Sequence, residues 1–290
     1  MMPLFVELCA GTAAVSLRLH RDGARPPVSR MGAKTGYADT ILRVLGLVPG
    51  ERAAAYLWCE PDPGVRLLLE AYRDADLARA AAAIIRGWAG EDPRALWERL
   101  RAEGPPRCLD GGVEAGEVAR WAFVQRVSGR GAAWGATCDL NGNGGCDPRT
   151  GQRFPFSLIK NTIPIDEHGT LPALIHPDAR AVDPGPALPP GTVAYLDGPY
   201  ENTTQYANLL PRSEQVALAR RWAAAGATVC ISEAEAIPEL VAEGWHAVRI
   251  DGERVGQRRT FSRQQAEWLT LNRAPAWVPS VQGALFGGAR

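Results

Sequence analysis

Lysine is almost absent from this 290-residue chain: of 32 Lys and Arg residues, only Lys34 and Lys160 are lysines. With 32 Asp and Glu the formal net charge is zero. A polyanion could therefore be held only by a local basic patch, not by bulk charge. The arginine excess, with the abundant Ala, Gly and Pro, reads as a GC-rich coding bias. The cysteines at 9, 59, 108, 138, 146 and 230 include no C-x-x-C pair, which removes the usual spacing for zinc. Scattered among apparent strands, they suit the reduced thiols of a cytoplasm better than a disulfide framework. No apolar run is long enough to span a membrane. The N-terminal MMPLFVELCAG lacks a basic segment and carries Glu7 inside its apolar run, which argues against a signal peptide. The histidines at 20, 168, 176 and 246 lack ligand spacing and read as surface or capping residues. No nucleophile-elbow pattern surrounds any serine.

What is present is an alternation of short apolar runs and helical periods, in a chain that is 46% hydrophobic and large enough for a sizeable core. PLFVEL (3–8) and AAAYLWCE (53–60) read as strands, and AAVSLRLHRDG and YADTILRVLGL as helices. A further helix starts near Pro63, and 76–102 is helical. From about 104 the pattern lapses into Gly-rich sequence, and DPGPALPPG (183–191) is a stiff linker. Strands and helices then resume: TVAYLDG, PRSEQVALARRWAAAG, ATVCISE, AIPELVAEG, HAVRIDG and EWLTLNR. This predicts an α/β fold, a mostly parallel sheet with helices on both faces. Its two halves (1–103 and 183–273) are separated by an inserted region (104–182) and followed by a flexible tail (274–290).

Chemistry gathers at strand ends. ELCAGTAAVSL (7–17) is a strand, a small-residue turn and a helix start, a cradle where a ligand can approach backbone. An ordinary β-α turn gives the same pattern. MGAKT (31–35) is no P-loop, because Ala33 stands where a glycine should precede Lys34. Glu60 ends the second strand, where an acid commonly binds ribose hydroxyls. Asp62 is better placed to cap the next helix. YLDGPYENTTQY (195–206) ends a third strand on Asp197-Gly198-Pro199-Tyr200.

These segments together resemble the S-adenosylmethionine-dependent amino-methyltransferases of DNA, most closely the Dam-type adenine-N6 family with its Rossmann-like methyltransferase fold. LCAGTAA is similar to the family's F-x-G-x-G cofactor turn, WCEPDPGVRLLLEAY to its acid after the next strand, and YLDGPYENTTQY to D-P-P-Y. EVARWAFVQRVSGRGAAWG (117–135) resembles the stretch entering the DNA-recognition region, and QAEWLTLN (265–272) the last strand. SRMGAKTGYADTIL (29–42) resembles the family's G-G-K segment, which there precedes the cofactor turn and here follows it. The resemblance covers most of 4–272.

The resemblance implies methyl transfer to adenine N6 in double-stranded DNA, with base flipping. Asp197 and a carbonyl of the Gly198–Pro199 turn would accept the two amino hydrogens, and Tyr200 would stack on the base. It implies a cofactor site from Glu7, Leu8, Cys9, Ala10, Gly11, Thr12, Ala13, Lys34, Glu60, Pro61 and Asp197, with S-adenosylmethionine as cofactor and no metal. Gly198 replaces the first proline of D-P-P-Y, so the turn is less rigid, and Ala13 replaces a glycine, its methyl either crowding the cofactor or packing. Cytosine N4 as target and an inactive DNA-binding homologue stand as alternatives. Arg126, Arg130, Arg258 and Arg259, with Arg120, Arg153, Arg254 and Arg263 near them, are candidates for phosphate contacts, as against a solvated surface. DLNGNG (139–144) imitates a calcium loop, but its twelfth position is Thr150 and a polar turn is the better reading. QGALF (282–286) resembles the Q-x-x-L-F peptide that docks on the bacterial sliding clamp through Gln282, Leu285 and Phe286. A tail packed on its own domain is the other reading.

Overall fold

The structure, a computed structural model, describes residues 2–28, 33–105, 112–128, 171–200, 210–250 and 267–279. Among the described residues seven strands form one mixed sheet: β1 (Met2–Glu7), β2 (Ala53–Cys59), β3 (Ala173–His176), β4 (Val193–Leu196), β5 (Thr228–Glu233), β6 (His246–Arg249) and β7 (Trp268–Leu271). Their spatial order is β3-β2-β1-β4-β5-β7-β6. The first five are mutually parallel, while β7 runs antiparallel to both β5 and β6.

The expected α/β architecture is present, and side-chain alternation shows how both faces are covered. Phe5, Val193, Tyr195 and Cys230 join one core; Val6, Leu8, Ala194, Leu196, Val229 and Ile231 join the other. Among the described residues the first core is roofed by the helices α1 (Ala14–His20), α2 (Ala38–Val44), α3 (Pro63–Arg73), α4 (Ala75–Gly87), α5 (Pro93–Ala102) and α6 (Ala115–Val127). The second lies under α7 (Arg212–Ala224) and α8 (Pro238–Ala242). Asp62, Asp74 and Asp92 cap α3, α4 and α5 through their side chains, with prolines opening α3 and α5.

Four expectations change. The region 104–182 is not wholly an insertion. Its first part is α6, buried against α3, α4 and α5, and Trp121 lies where a Cβ on Gly64 would be, 2.1 Å from its Nε1. Its last part is β3, the edge strand beside β2, a four-residue ALIH run hidden between prolines. Arg120 is no phosphate contact: it is 5% exposed, bonded to Glu117 at 2.6 Å and to the carbonyls of Leu100 and Gly104, and so ties α6 to the end of α5. His20 is buried, its ring 6.0 Å from that of Tyr56, not at the surface. At the other end of the chain, 274–279 lies against α2: the Ala276 amide donates to the Val44 carbonyl at 2.9 Å, and Arg43 lies 4.1 Å over the Trp277 ring.

Candidate functional site

Strand order reverses between β1 and β4, each the start of an outward progression, and the carboxyl ends of parallel strands at such a switch point are where open α/β sheets place ligands. Glu7, the last residue of β1, is in register with Trp58 of β2 and Tyr195 of β4. Glu60 and Asp197 therefore leave the sheet at the same level on either side of the 8–13 turn. With strands about 4.8 Å apart, they flank it across roughly 10 Å.

The turn is shaped by its small residues. The Leu8 amide donates to Tyr195 O and that of Ala10 to Cys59 O, both at 2.9 Å, so the backbone stays clamped between β4 and β2 as it leaves the sheet. Gly11 follows at φ 50°, and a Cβ there would meet none of the described residues within 4 Å. Its amide donates to Glu60 Oε2 at 2.8 Å, while Glu60 Oε1 accepts from the Asp62 amide at 2.9 Å. Glu60 thus fastens the second strand end to the turn. Pro61 continues that end, its carbonyl accepting from Arg66 at 2.9 Å. The Thr12 hydroxyl is buried with no hydrogen-bond partner among the described residues. Burial, then the charges of Glu60 and Asp197, pushes the Cys9 thiol well up, so this cysteine stays protonated between two acids.

Two members of the expected cofactor turn face protein. Ala13 caps α1 at φ 52° and is fully buried in the first core, so its methyl packs. Leu8 is buried in the second. Glu7, 2% exposed, performs the capping that Ala13 cannot: its Oε1 accepts from the Ser16 amide at 2.6 Å. Burial pushes its carboxyl up to about 8, with Ser16 opposing.

The Asp197 side holds a dense charged network. Lys34, 4% exposed, reaches Asp197 Oδ1 at 2.6 Å and lies 3.7 Å from Glu267 Oε1 and 4.8 Å from the centre of the Tyr200 ring. Burial opposes its charge, but Asp197, Tyr200 and Glu267 together hold the ammonium well above the usual lysine value. For Asp197, burial raises the carboxyl to about 6, Lys34 pulls it down, and Glu267 and Glu233 push it up. The hydroxyls of Tyr200 and Ser232 both donate to Glu267 at the start of β7. Behind the turn, Gln215 of α7 donates from Nε2 to the carbonyls of Pro199 and Leu210, each at 3.0 Å. Arg212 is 3.5 Å from Glu233, which ends β5.

Of the expected site residues, the structure gathers Gly11, Glu60, Lys34, Asp197, Gly198, Pro199 and Tyr200 at the carboxyl end of the parallel strands. Lys34 joins the Asp197 network rather than the Gly11–Glu60 cradle. Gln215, Ser232, Glu233 and Glu267 carried no expected role. Glu233 repeats the strand-then-acid pattern of Glu60 and could have been found by it; Gln215 is a single polar residue on a helix and gives no such signal. Arg126 lies half-buried on α6, its value lowered by burial. Arg130, Arg153, Arg254, Arg258, Arg259, Arg263, the 139–144 turn, and Gln282, Leu285 and Phe286 lie outside the described residues. Among the described residues no side-chain group could hold a metal, and no helix is long and apolar enough to cross a membrane.

No protein-family model matches the chain, and no curated protein is significantly similar to it.

Proposed function

We propose that the chain is an S-adenosylmethionine-dependent DNA methyltransferase acting on adenine N6, built on a Rossmann-like methyltransferase fold. The observation that carries this reading is the convergence of the Gly11–Glu60 cradle and the Asp197–Tyr200 turn on either side of β1, at the reversal of strand order. The cradle fits the cofactor. No described residue would meet a side chain placed on Gly11, and Glu60 presents its carboxylate beside that backbone. Glu60 would accept from ribose hydroxyls, with the backbone of 9–12 and Pro61 beside them. When bound, the cofactor supplies a methyl group on a positively charged sulfur.

The chain's own residues account for the other half of the chemistry. An exocyclic amino nitrogen is a weak nucleophile because its lone pair is spread into the ring. Asp197 Oδ2 and the Gly198 carbonyl would accept its two hydrogens and favour a localised lone pair. Lys34 on Oδ1 keeps the buried carboxyl ionised at neutral pH. A value near 6 makes Asp197 a better base than a solvated aspartate, suited to take up the amino proton that the reaction releases. The Tyr200 ring has its hydroxyl tied to Glu267 and the Lys34 ammonium over one face, so a flipped base would stack on the opposite face. Such stacking is worth roughly 1–3 kcal/mol per base. Positioning and electrostatics carry the rate.

The test is expression in a host lacking adenine methylation, with genomic nucleosides quantified by mass spectrometry beside an Asp197→Ala control. N6-methyladenine that vanishes in the control is the expected result. N4-methylcytosine would keep the mechanism and change the base. No modified base from folded protein would favour an inactive DNA-binding homologue. The Lys34 contact, which already fills one oxygen of the acceptor, gives that reading its one structural support.

A further inference from the structure

We infer that Gln215 is a positioning residue for this reaction, and that it is paired with Gly198. The inference rests on the methyltransferase reading above. A glycine at position 198 leaves the turn after Asp197 without the ring that would stiffen it, yet that turn must present a carbonyl to an amino group within a few tenths of an ångström. The structure supplies the missing constraint from α7. Gln215 is 3% exposed, and its one amide nitrogen bridges two carbonyls, Pro199 on the near side of segment 201–209 and Leu210 on the far side. A single side chain thus ties Leu210 to the peptide next to the proposed acceptor.

The absence of a side chain at 198 is what allows this. A Cβ built on Gly198 would lie 2.5 Å from both Cδ and Oε1 of Gln215 and 2.8 Å from Nε2. These atoms are the far end of a flexible side chain, so the collision would be relieved by swinging the amide away, and the swing breaks both hydrogen bonds. Residue 198 has to be glycine because Gln215 occupies its side-chain space. Gln215 in turn does by hydrogen bonding what a proline would do by its ring. The bond to Pro199 also uses that carbonyl, which directs the amino group to the neighbouring carbonyl of Gly198.

The experiment is a double-substitution cycle with Gly198→Ala, Gln215→Ala and the pair, and Gln215→Glu as an isosteric control without the donor. Each protein is assayed for methyl transfer to DNA and for thermal unfolding. Each single change is expected to lower kcat by about 10- to 100-fold, the scale of a small misplacement of reacting groups. KM for S-adenosylmethionine should stay within about two-fold, because the cradle lies on the other side of β1; a general loss of folding would move both. The pair should be no worse than either single change, since both act through one contact. Gln215→Glu should be at least as impaired as Gln215→Ala, with an oxygen facing two carbonyls. Unchanged kcat in Gln215→Ala, or losses that multiply in the pair, would overturn the inference. A wild-type chain that transfers no methyl group, while unfolding still shows the two positions coupled, would instead overturn the reading of function and reduce the contact to a structural one.

Discussion

At the scale of single residues, two buried acids set the pH behaviour. Asp197 must be ionised to accept the amino hydrogens, so methylation should rise through its value of about 6. Removing the Lys34 cation favours the protonated carboxyl. Lys34→Met is therefore expected to move the acid limb of a pH–rate profile upward by about one unit or more, a cost of roughly 1.4 kcal/mol per unit. Glu7 works on stability instead. Its carboxyl titrates near 8 in the fold against about 4.5 when unfolded, so between those values the native chain binds the extra proton. Stability should fall as pH rises through that window and level off above it. Thermal melts from pH 5 to 9 should show the decline, and Glu7→Gln should flatten it. The chemistry of Asp197 and Glu60 was legible because each is an acid closing an apolar run. Glu7 was legible as a member of the turn but not as the cap of α1, because a contact nine residues away on the next element leaves no local pattern.

Elements were legible where they were long or punctuated. Asp62-Pro63 announces α3, and that cap is made as expected, whereas 76–102, read as one helical stretch, is divided into α4 and α5, with Asp92 capping the second. β3 was hidden because four residues between prolines carry too little alternation, and α6 because its apolar residues run all round instead of forming a stripe. That same feature shows that α6 is enclosed, wedged over α3 where Gly64 admits the Trp121 indole. Gly64→Ala would place a methyl about 2 Å from the ring nitrogen, and the bulky indole of Trp121, itself buried, has little room to swing aside. Denaturant unfolding should show a loss of about 2–3 kcal/mol, the upper part of the range for overpacking. Arg120→Met should be harmful for another reason: Glu117, one turn earlier on α6, loses its ion pair with Arg120, and the carbonyls at the end of α5 lose their donor.

For the whole molecule, the tail is more than an appendage. Trp277 under Arg43 and the Ala276–Val44 bond fasten the chain to α2, a few residues after the element that carries Lys34. Trp277→Ala is expected to lower stability by about 1 kcal/mol, the scale of an exposed cation–π contact with some lost burial, readable as a small drop in Tm. The sequence suggested flexibility there from Pro275 and Pro279, but proline stiffens a segment as readily as it ends one. The order of the sheet has a consequence during synthesis. β1 is central, and one of its edges is completed only when Val193–Tyr195 arrive, about 190 residues after Glu7. At ribosomal rates that edge waits roughly 10–40 s. In that interval β1, β2 and the helices above them can gather, but an apolar strand stands with unpaired amides and carbonyls, open to pairing with another chain. Slower translation of the 128–192 stretch should therefore lower the soluble yield of this protein more than slower translation after β4.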